Sequence, residues 1–151
     1  MIQQGARLLA PGSPGSQIAP ELLPKPVEPD HDLLLRGDFQ QVGVREYIMY
    51  KPRWGVFYQT KLEGYLRNTG TDTIVFAGCN FPNCPRTSVY EASERDFRIV
   101  LVTDAVSGLY DRGIEECRRI GVDVKDLSAT PAWLGDDVES TAAPGPKKPR
   151  P

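Results

Sequence analysis

The sequence predicts an α/β protein built on a doubly wound parallel sheet, three layers deep, with helices over both faces. Three observations predict it. From Glu46 onward, apolar runs of strand length alternate with segments of helical spacing, the order that produces βαβ units. Two of those runs, TIVFAG (73–78) and RIVLV (98–102), are apolar at consecutive positions, as strands buried on both faces are. The 151 residues, 40% of them hydrophobic, suffice for one domain with one core.

Each element follows in order. Residues 1–45 are rich in Pro and Gly and poor in periodicity. They read as a loop-rich N-terminal segment of the same domain, with one short helical turn near Ile18–Leu23. Residues 46–134 form the α/β core. EYIMYK (46–51) is a β-rich run. KLEGYLRNT (61–69) puts Leu62, Tyr65 and Leu66 at helical spacing and stops at Gly70. TIVFAG is the next strand, and CPRTSVYEASERD (84–96) a helix with Pro85 in its first turn. FRIVLVTDA (97–105) is a further strand, LYDRGIEECRRIG (109–121) an amphipathic helix with a glycine stop, and VDVKDL (122–127) a short strand. Residues 135–151 have almost no apolar content and are expected to be disordered.

Composition excludes several classes. With 18 basic against 20 acidic residues, neither nucleic acid nor an anionic membrane surface is an expected partner, and the short KKPRP end does not change this. No apolar run is long enough to span a bilayer, and residues 1–16 lack the apolar stretch of a signal peptide. The three cysteines, Cys79, Cys84 and Cys117, have no framework spacing, so a reducing, cytoplasmic setting is expected. The single histidine, His31, lies in a polar, Pro-rich stretch and reads as solvated. Any metal site or triad needing two histidines is excluded within the chain, and no metal or cofactor is expected. No G-x-G-x-x-G follows a strand, which removes the dinucleotide-binding alternative.

In such a sheet the ligand crevice lies beyond the carboxyl ends of the strands. Lys51, Cys84 and Asp104 are read as sitting at those ends. Cys84 lies between a strand and a helix, with Asn83 or Cys84 itself as N-cap. Free N–H groups and the positive end of the helix favour a thiolate there and can hold an oxyanion. An ammonium group nearby, Lys51, adds to both effects. By pattern alone, however, a cysteine in a βα loop is more often inert packing. The same balance holds elsewhere. Trp54 and Phe57 form an aromatic pocket wall or cover the core. Arg53 meets a substrate carboxylate or makes a surface salt bridge. Asp104 lines the pocket or caps a turn. Cys79 packs in the turn, Cys117 is a small buried hydrophobe, and the charged face of 109–120 is solvated or meets another subunit.

The run KPRWGVFYQTKLEGYLRNTGTDTIVFAGCNFPNCPRTSVYEASERDFRIVLVTDAVSG (51–108) resembles the core of the isochorismatase-like cysteine hydrolases. That superfamily includes nicotinamidases, N-carbamoylsarcosine amidases and ureidoacrylate amidohydrolases. The family's Lys, Phe, Thr and Leu pattern is matched by Lys51, Phe57, Thr60 and Leu62. Its glycine-to-cysteine turn is matched by Gly78 and Cys84, the following helix by Thr87 and Ala92, and the next strand end by Asp104. PGSPGSQIAPELLP (11–24) is similar to the segment before the lysine, so the likeness covers about residues 11–127.

The resemblance implies an isochorismatase-like, Rossmann-like three-layer fold and an Asp-Lys-Cys triad. Cys84 is then the nucleophile and Lys51 its cationic partner. The backbone N–H groups of Asn80 and Cys84 form the oxyanion hole, and a cis peptide joins Cys79 to Asn80. Trp54, Phe57 and Phe81 are assigned to the substrate pocket. The implied partner is a small amide, carbamoyl or ureido compound, cleaved through a thioester, and the implied assembly is a homo-oligomer. A cysteine at this position argues against isochorismate itself as substrate.

One part of the pattern has no match. The family's aspartate ends a buried first strand, and no such segment precedes Lys51. Asp38 follows only the triplet Leu33–Leu35, broken by Arg36 and Gly37, and is a poor candidate for it. The expectation is therefore a sheet lacking its first strand, in a chain that is the C-terminal two-thirds of a longer hydrolase and is inactive by itself. The alternative from another class is a non-catalytic scaffold or interaction protein on the same fold.

Overall fold

The computed structural model describes residues 10–135. The disorder expected of 136–151 therefore lies outside the described residues. Between Pro11 and Pro29 the chain is mostly irregular, with single 3-10 turns at Pro14–Ser16 and Pro20–Leu22, each opened by proline. The second falls within the turn expected near Ile18–Leu23.

The remainder of the N-terminal segment is more ordered than its composition suggests. Helix α1 (His31–Leu35) starts where Asp30 Oδ1 accepts the Leu33 N–H at 3.0 Å, an N-cap that satisfies an otherwise orphan donor. Strand β1 (Gln40–Gly43) then pairs antiparallel with β2 (Glu46–Ile48), with Gln40 opposite Ile48 and Gln41 opposite Tyr47. This corrects the sequence expectation twice. Residues 1–45 contain a helix and a strand, and the strand expected over 46–51 is three residues long and belongs to a hairpin outside the parallel sheet. The turn is Val44–Arg45, with Arg45 in the left-handed region at φ 59°. It carries none of the Asn-Gly or Gly-X chemistry that announces a two-residue hairpin.

The hairpin docks on helix α2 (Leu62–Asn68). Phe39, Tyr47 and Tyr65 form a three-ring cluster with centroids 5.1–6.4 Å apart, and Asp38 pairs with Lys61 just before that helix.

Strands β3 (Thr73–Gly78), β4 (Arg98–Val106) and β5 (Asp123–Lys125) form a parallel sheet in that order. Helix α3 (Cys84–Ser93) connects β3 to β4, and α4 (Asp111–Arg119) connects β4 to β5. This is the βαβ alternation the apolar runs predict. Successive strand side chains face opposite ways. Ile99 and Leu101 join Phe57, Phe81, Val89 and Phe97 in the main core, while Val100 and Val102, on the other face, are buried as well. β4 is thus covered on both faces. β3 is not: Val75 is 41% exposed, and β3 is one of the two edges of the sheet among the described residues. β4 also runs on through Asp104 to Val106, two residues past the point where Asp104 was expected to end it.

A short helix α5 (Thr130–Leu134) closes the described chain, with Asp126 Oδ1 accepting the Ala129 N–H at 2.8 Å. Among the described residues no helix is long and apolar enough to cross a membrane.

Candidate active site

Cys84 is the first residue of α3, with Asn83 as N-cap and Pro85 behind it. The turn that delivers it is held at several points. Phe81 is wholly buried, its ring edge-on to Tyr110 at 5.5 Å, and it pins the middle of the turn into the core. Its N–H donates to the Ser107 carbonyl at 2.8 Å, and the Ser107 N–H donates to Gly78 at 3.0 Å. Ser107 Oγ donates to Asn80 Oδ1 at 2.6 Å. The Cys79–Asn80 peptide bond is cis. The backbone N–H groups of Asn80 and Cys84 make no hydrogen bond among the described residues, which leaves two donors at the helix mouth.

Lys51 reaches this point from the loop after β2, not from the end of a parallel strand as the sequence suggests. Its ammonium group donates to the Arg53 carbonyl at 2.9 Å, to the Trp54 carbonyl at 3.1 Å and to Cys84 Sγ at 3.3 Å. An ammonium has three protons, so these partners use all of them. The two carbonyls aim the nitrogen at the sulfur.

The lysine loop is itself fastened to α3, the helix that starts with the cysteine. Ser88 Oγ donates to the Cys84 carbonyl at 2.7 Å and accepts the Val56 N–H at 3.1 Å. Glu91 Oε2 accepts the Phe57 N–H at 2.8 Å. Gly55 lies against the same carboxylate, and a Cβ there would collide with its atoms. Ser88 and Glu91 lie one and two turns along α3 from Cys84, so both bonds hold the loop over one helix face. Sequence reasoning missed these three residues. The only signal was the placement of Ser88 and Glu91 at positions 4 and 7 after the cysteine, on its own side of the helix.

Lys51, Arg53, Trp54, Gly55, Tyr58, Cys84, Thr87 and Glu91 line an open cleft of about 790 Å³. Trp54 is on its wall, but Phe57 and Phe81 are not. Phe57 is 5% exposed and stacks on Phe97 at 5.7 Å, and Phe81 is fully buried. Both belong to the core, where burying a large ring is most favourable. Asp104 is also away from the cleft: its Oδ1 accepts the Leu127 N–H at 2.8 Å and caps the turn after β5. Asp38 is bound to Lys61 and Arg36, and chiefly the hydrogen bond from Lys61 holds its carboxyl below the usual carboxylate range. His31 Nε2 accepts the Gly12 N–H at 2.8 Å. Cys79 is exposed rather than packed in the turn. Cys117 is buried in the core, and that burial pushes its thiol up from the ordinary value. Among the described residues no group of three or more His, Cys, Asp or Glu side chains is placed to hold a metal ion.

A lysine ammonium on a cysteine sulfur at a helix mouth is the arrangement expected from the resemblance. The family model of the isochorismatase domain matches residues 2–124. The chain belongs to the isochorismatase family.

Among curated members and relatives, a probable inactive nicotinamidase of Arabidopsis thaliana is 30% identical over 87 residues, covering 54% of this chain and 44% of the relative. A ureidoacrylate amidohydrolase of Methylorubrum extorquens is 26% identical over 140 residues, covering 89% of this chain and 49% of the relative. Among solved structures, an isochorismatase family protein from Desulfovibrio vulgaris superposes with a TM-score of 0.66 at 26% identity, covering 88% of this chain and 63% of the other. N-carbamoylsarcosine amidase from Thermoplasma acidophilum gives 0.55 at 27%, covering 83% and 63%. The chain thus spans about half the length of these curated isochorismatase-family relatives.

Proposed function

We propose that this site belongs to a cysteine hydrolase that cleaves the C–N bond of a small amide, carbamoyl or ureido compound. The observation that carries the reading is the 3.3 Å contact of Lys51 Nζ with Cys84 Sγ at the start of α3. The ammonium and the helix mouth set positive charge beside the sulfur, and a thiolate is the form in which sulfur attacks carbonyl carbon. The sulfur adds to that carbon and the carbonyl becomes an oxyanion. The free N–H groups of Asn80 and Cys84 are the donors for it. The C–N bond then breaks, the nitrogen leaves as ammonia or an amine carrying a proton, and a thioester remains. Water hydrolyses the thioester, releasing the acid and returning the thiol. No carboxylate among the described residues bonds to Lys51 or Cys84. The thiol proton passes to the departing nitrogen, which leaves with it as ammonia or an amine. The names of the ureidoacrylate amidohydrolase and the N-carbamoylsarcosine amidase support this substrate class.

A second reading, a scaffold of the same fold without catalysis, is favoured by the relative described as probably inactive. Thiol chemistry separates the two. Incubation with linear amide, carbamoyl and ureido compounds is expected to give a Cys84 thioester, visible by mass spectrometry and trapped by hydroxylamine. Ammonia release should accompany it, and Cys84→Ala should abolish both. A Cys84 thiol that alkylates no faster than an ordinary exposed cysteine near neutral pH, and forms no thioester, supports the scaffold instead.

A further inference from the structure

We propose that Arg53 reads a carboxylate on the substrate, which narrows the site to amide-type compounds that also carry an acid group. This rests on the reading of Cys84 as the reacting nucleophile. The cleft holds two cations, Lys51 and Arg53. Lys51 has no donor to spare, since the Arg53 carbonyl, the Trp54 carbonyl and Cys84 Sγ take all three protons. Arg53 has donors to spare. Its Nη1 donates to the Pro52 carbonyl at 2.9 Å, and the rest of the exposed guanidinium fork meets no acid among the described residues. Arg67, Arg86 and Arg95 are each held by a glutamate, whereas Arg53, like Arg45 and Arg118, forms no ion pair among the described residues, and of these three Arg53 is the one that lines the cleft. Glu91, the acid in the same cleft, is occupied by the Phe57 N–H and forms no ion pair with Arg53.

Position makes the free guanidinium useful. The backbone carbonyl of Arg53 is bonded to the ammonium that contacts the sulfur. Its side chain therefore starts one hydrogen bond from the reacting pair. A planar fork of donors matches a carboxylate in two parallel bonds, which an ammonium does not do. Trp54 and Tyr58 line the same cleft, and flat aromatic faces suit a flat spacer between acid and amide. A neutral amide of the same size leaves this fork unanswered.

The test uses Cys84 itself as the reporter, so it does not depend on turnover. The full chain is treated with an anionic aromatic disulfide, dithiobis(nitrobenzoate), and with neutral dithiodipyridine. Exchange at Cys84 is followed by peptide mass spectrometry. In the wild type the anionic reagent is expected to be favoured at Cys84 relative to exposed Cys79. In Arg53→Gln that preference should fall about tenfold, the value of one charge-assisted pair of hydrogen bonds, with Arg53→Lys in between. High salt should compress it. An unchanged preference in Arg53→Gln, with Cys84 still fast toward the neutral reagent, overturns the role of Arg53 and leaves the nucleophile standing. A Cys84 slower than Cys79 toward both reagents overturns the nucleophile, and the role of Arg53 with it.

Discussion

At the scale of single residues, the site is an arrangement of donors and acceptors around one sulfur atom. Cys84 and Lys51 were readable from the sequence because a thiol after a strand and a lysine upstream match a known pattern. Ser88, Glu91 and Gly55 were not. Their contacts join positions more than thirty residues apart, and no local propensity encodes that. Phe57 and Phe81 show the opposite error. An aromatic residue near a nucleophile in sequence can face the cleft or the core, and both of these face the core. Gly55 gives the sharpest check. In Gly55→Ala the new methyl meets the Glu91 carboxylate, so either the loop or that side chain must shift. The clash falls on the far end of a flexible side chain, so the cost is that of giving up the Glu91 bond to the Phe57 N–H, about 0.5–1.5 kcal/mol. The expected result is a lower urea midpoint and a several-fold slower alkylation of Cys84, because Lys51 moves with the loop. If both stay at wild-type values, the loop does not set the lysine.

At the scale of elements, the turn from β3 to α3 is anchored at its middle by Phe81 while the backbone N–H groups of Asn80 and Cys84 are left unbonded among the described residues. Phe81 fills a space left by Gly113, where a Cβ would lie 2.5 Å from the Phe81 ring. Helices α2, α3 and α4 and strands β3 to β5 followed from periodicity, since each carries its own apolar pattern. The β1–β2 hairpin and α5 did not. The first depends on a turn without glycine, and the second is five residues long. Helix α5 leans on the Asp126 turn instead. The Asp126 carboxyl is held below its ordinary value first by the Ser128 hydroxyl and then by the Ala129 N–H. A depressed carboxyl contributes stability that is present above its unfolded value and is lost as pH falls through the folded one. Hydrogen-exchange protection over 129–134 should therefore drop on acidification below the normal carboxylate range. In Asp126→Asn it should be insensitive to pH over that window. Equal acid sensitivity in the variant would remove Asp126 as the cause.

At the scale of the whole molecule, β4 is the centre of the described fold. Its residues Ile99–Val102 are buried on both faces, and Leu101 is fully enclosed. Leu101→Ala should cost about 2–5 kcal/mol, a large part of the stability of an ordinary domain. Equilibrium urea unfolding should show it, and a loss under about 1 kcal/mol would mean that the core repacks freely. The sequence by itself determined the α/β class and the strands and helices between residues 62 and 125, and it singled out Cys84 and Lys51. Those features are written locally, in spacing, caps and a family pattern. Tertiary structure alone decided that the strand before Lys51 lies in a hairpin outside the sheet. It also decided which aromatic rings are core and which are cleft wall, and that one helix, α3, both carries the sulfur and ties down the lysine loop. Those outcomes depend on how distant segments pack, and packing is a property of the folded chain rather than of any stretch within it.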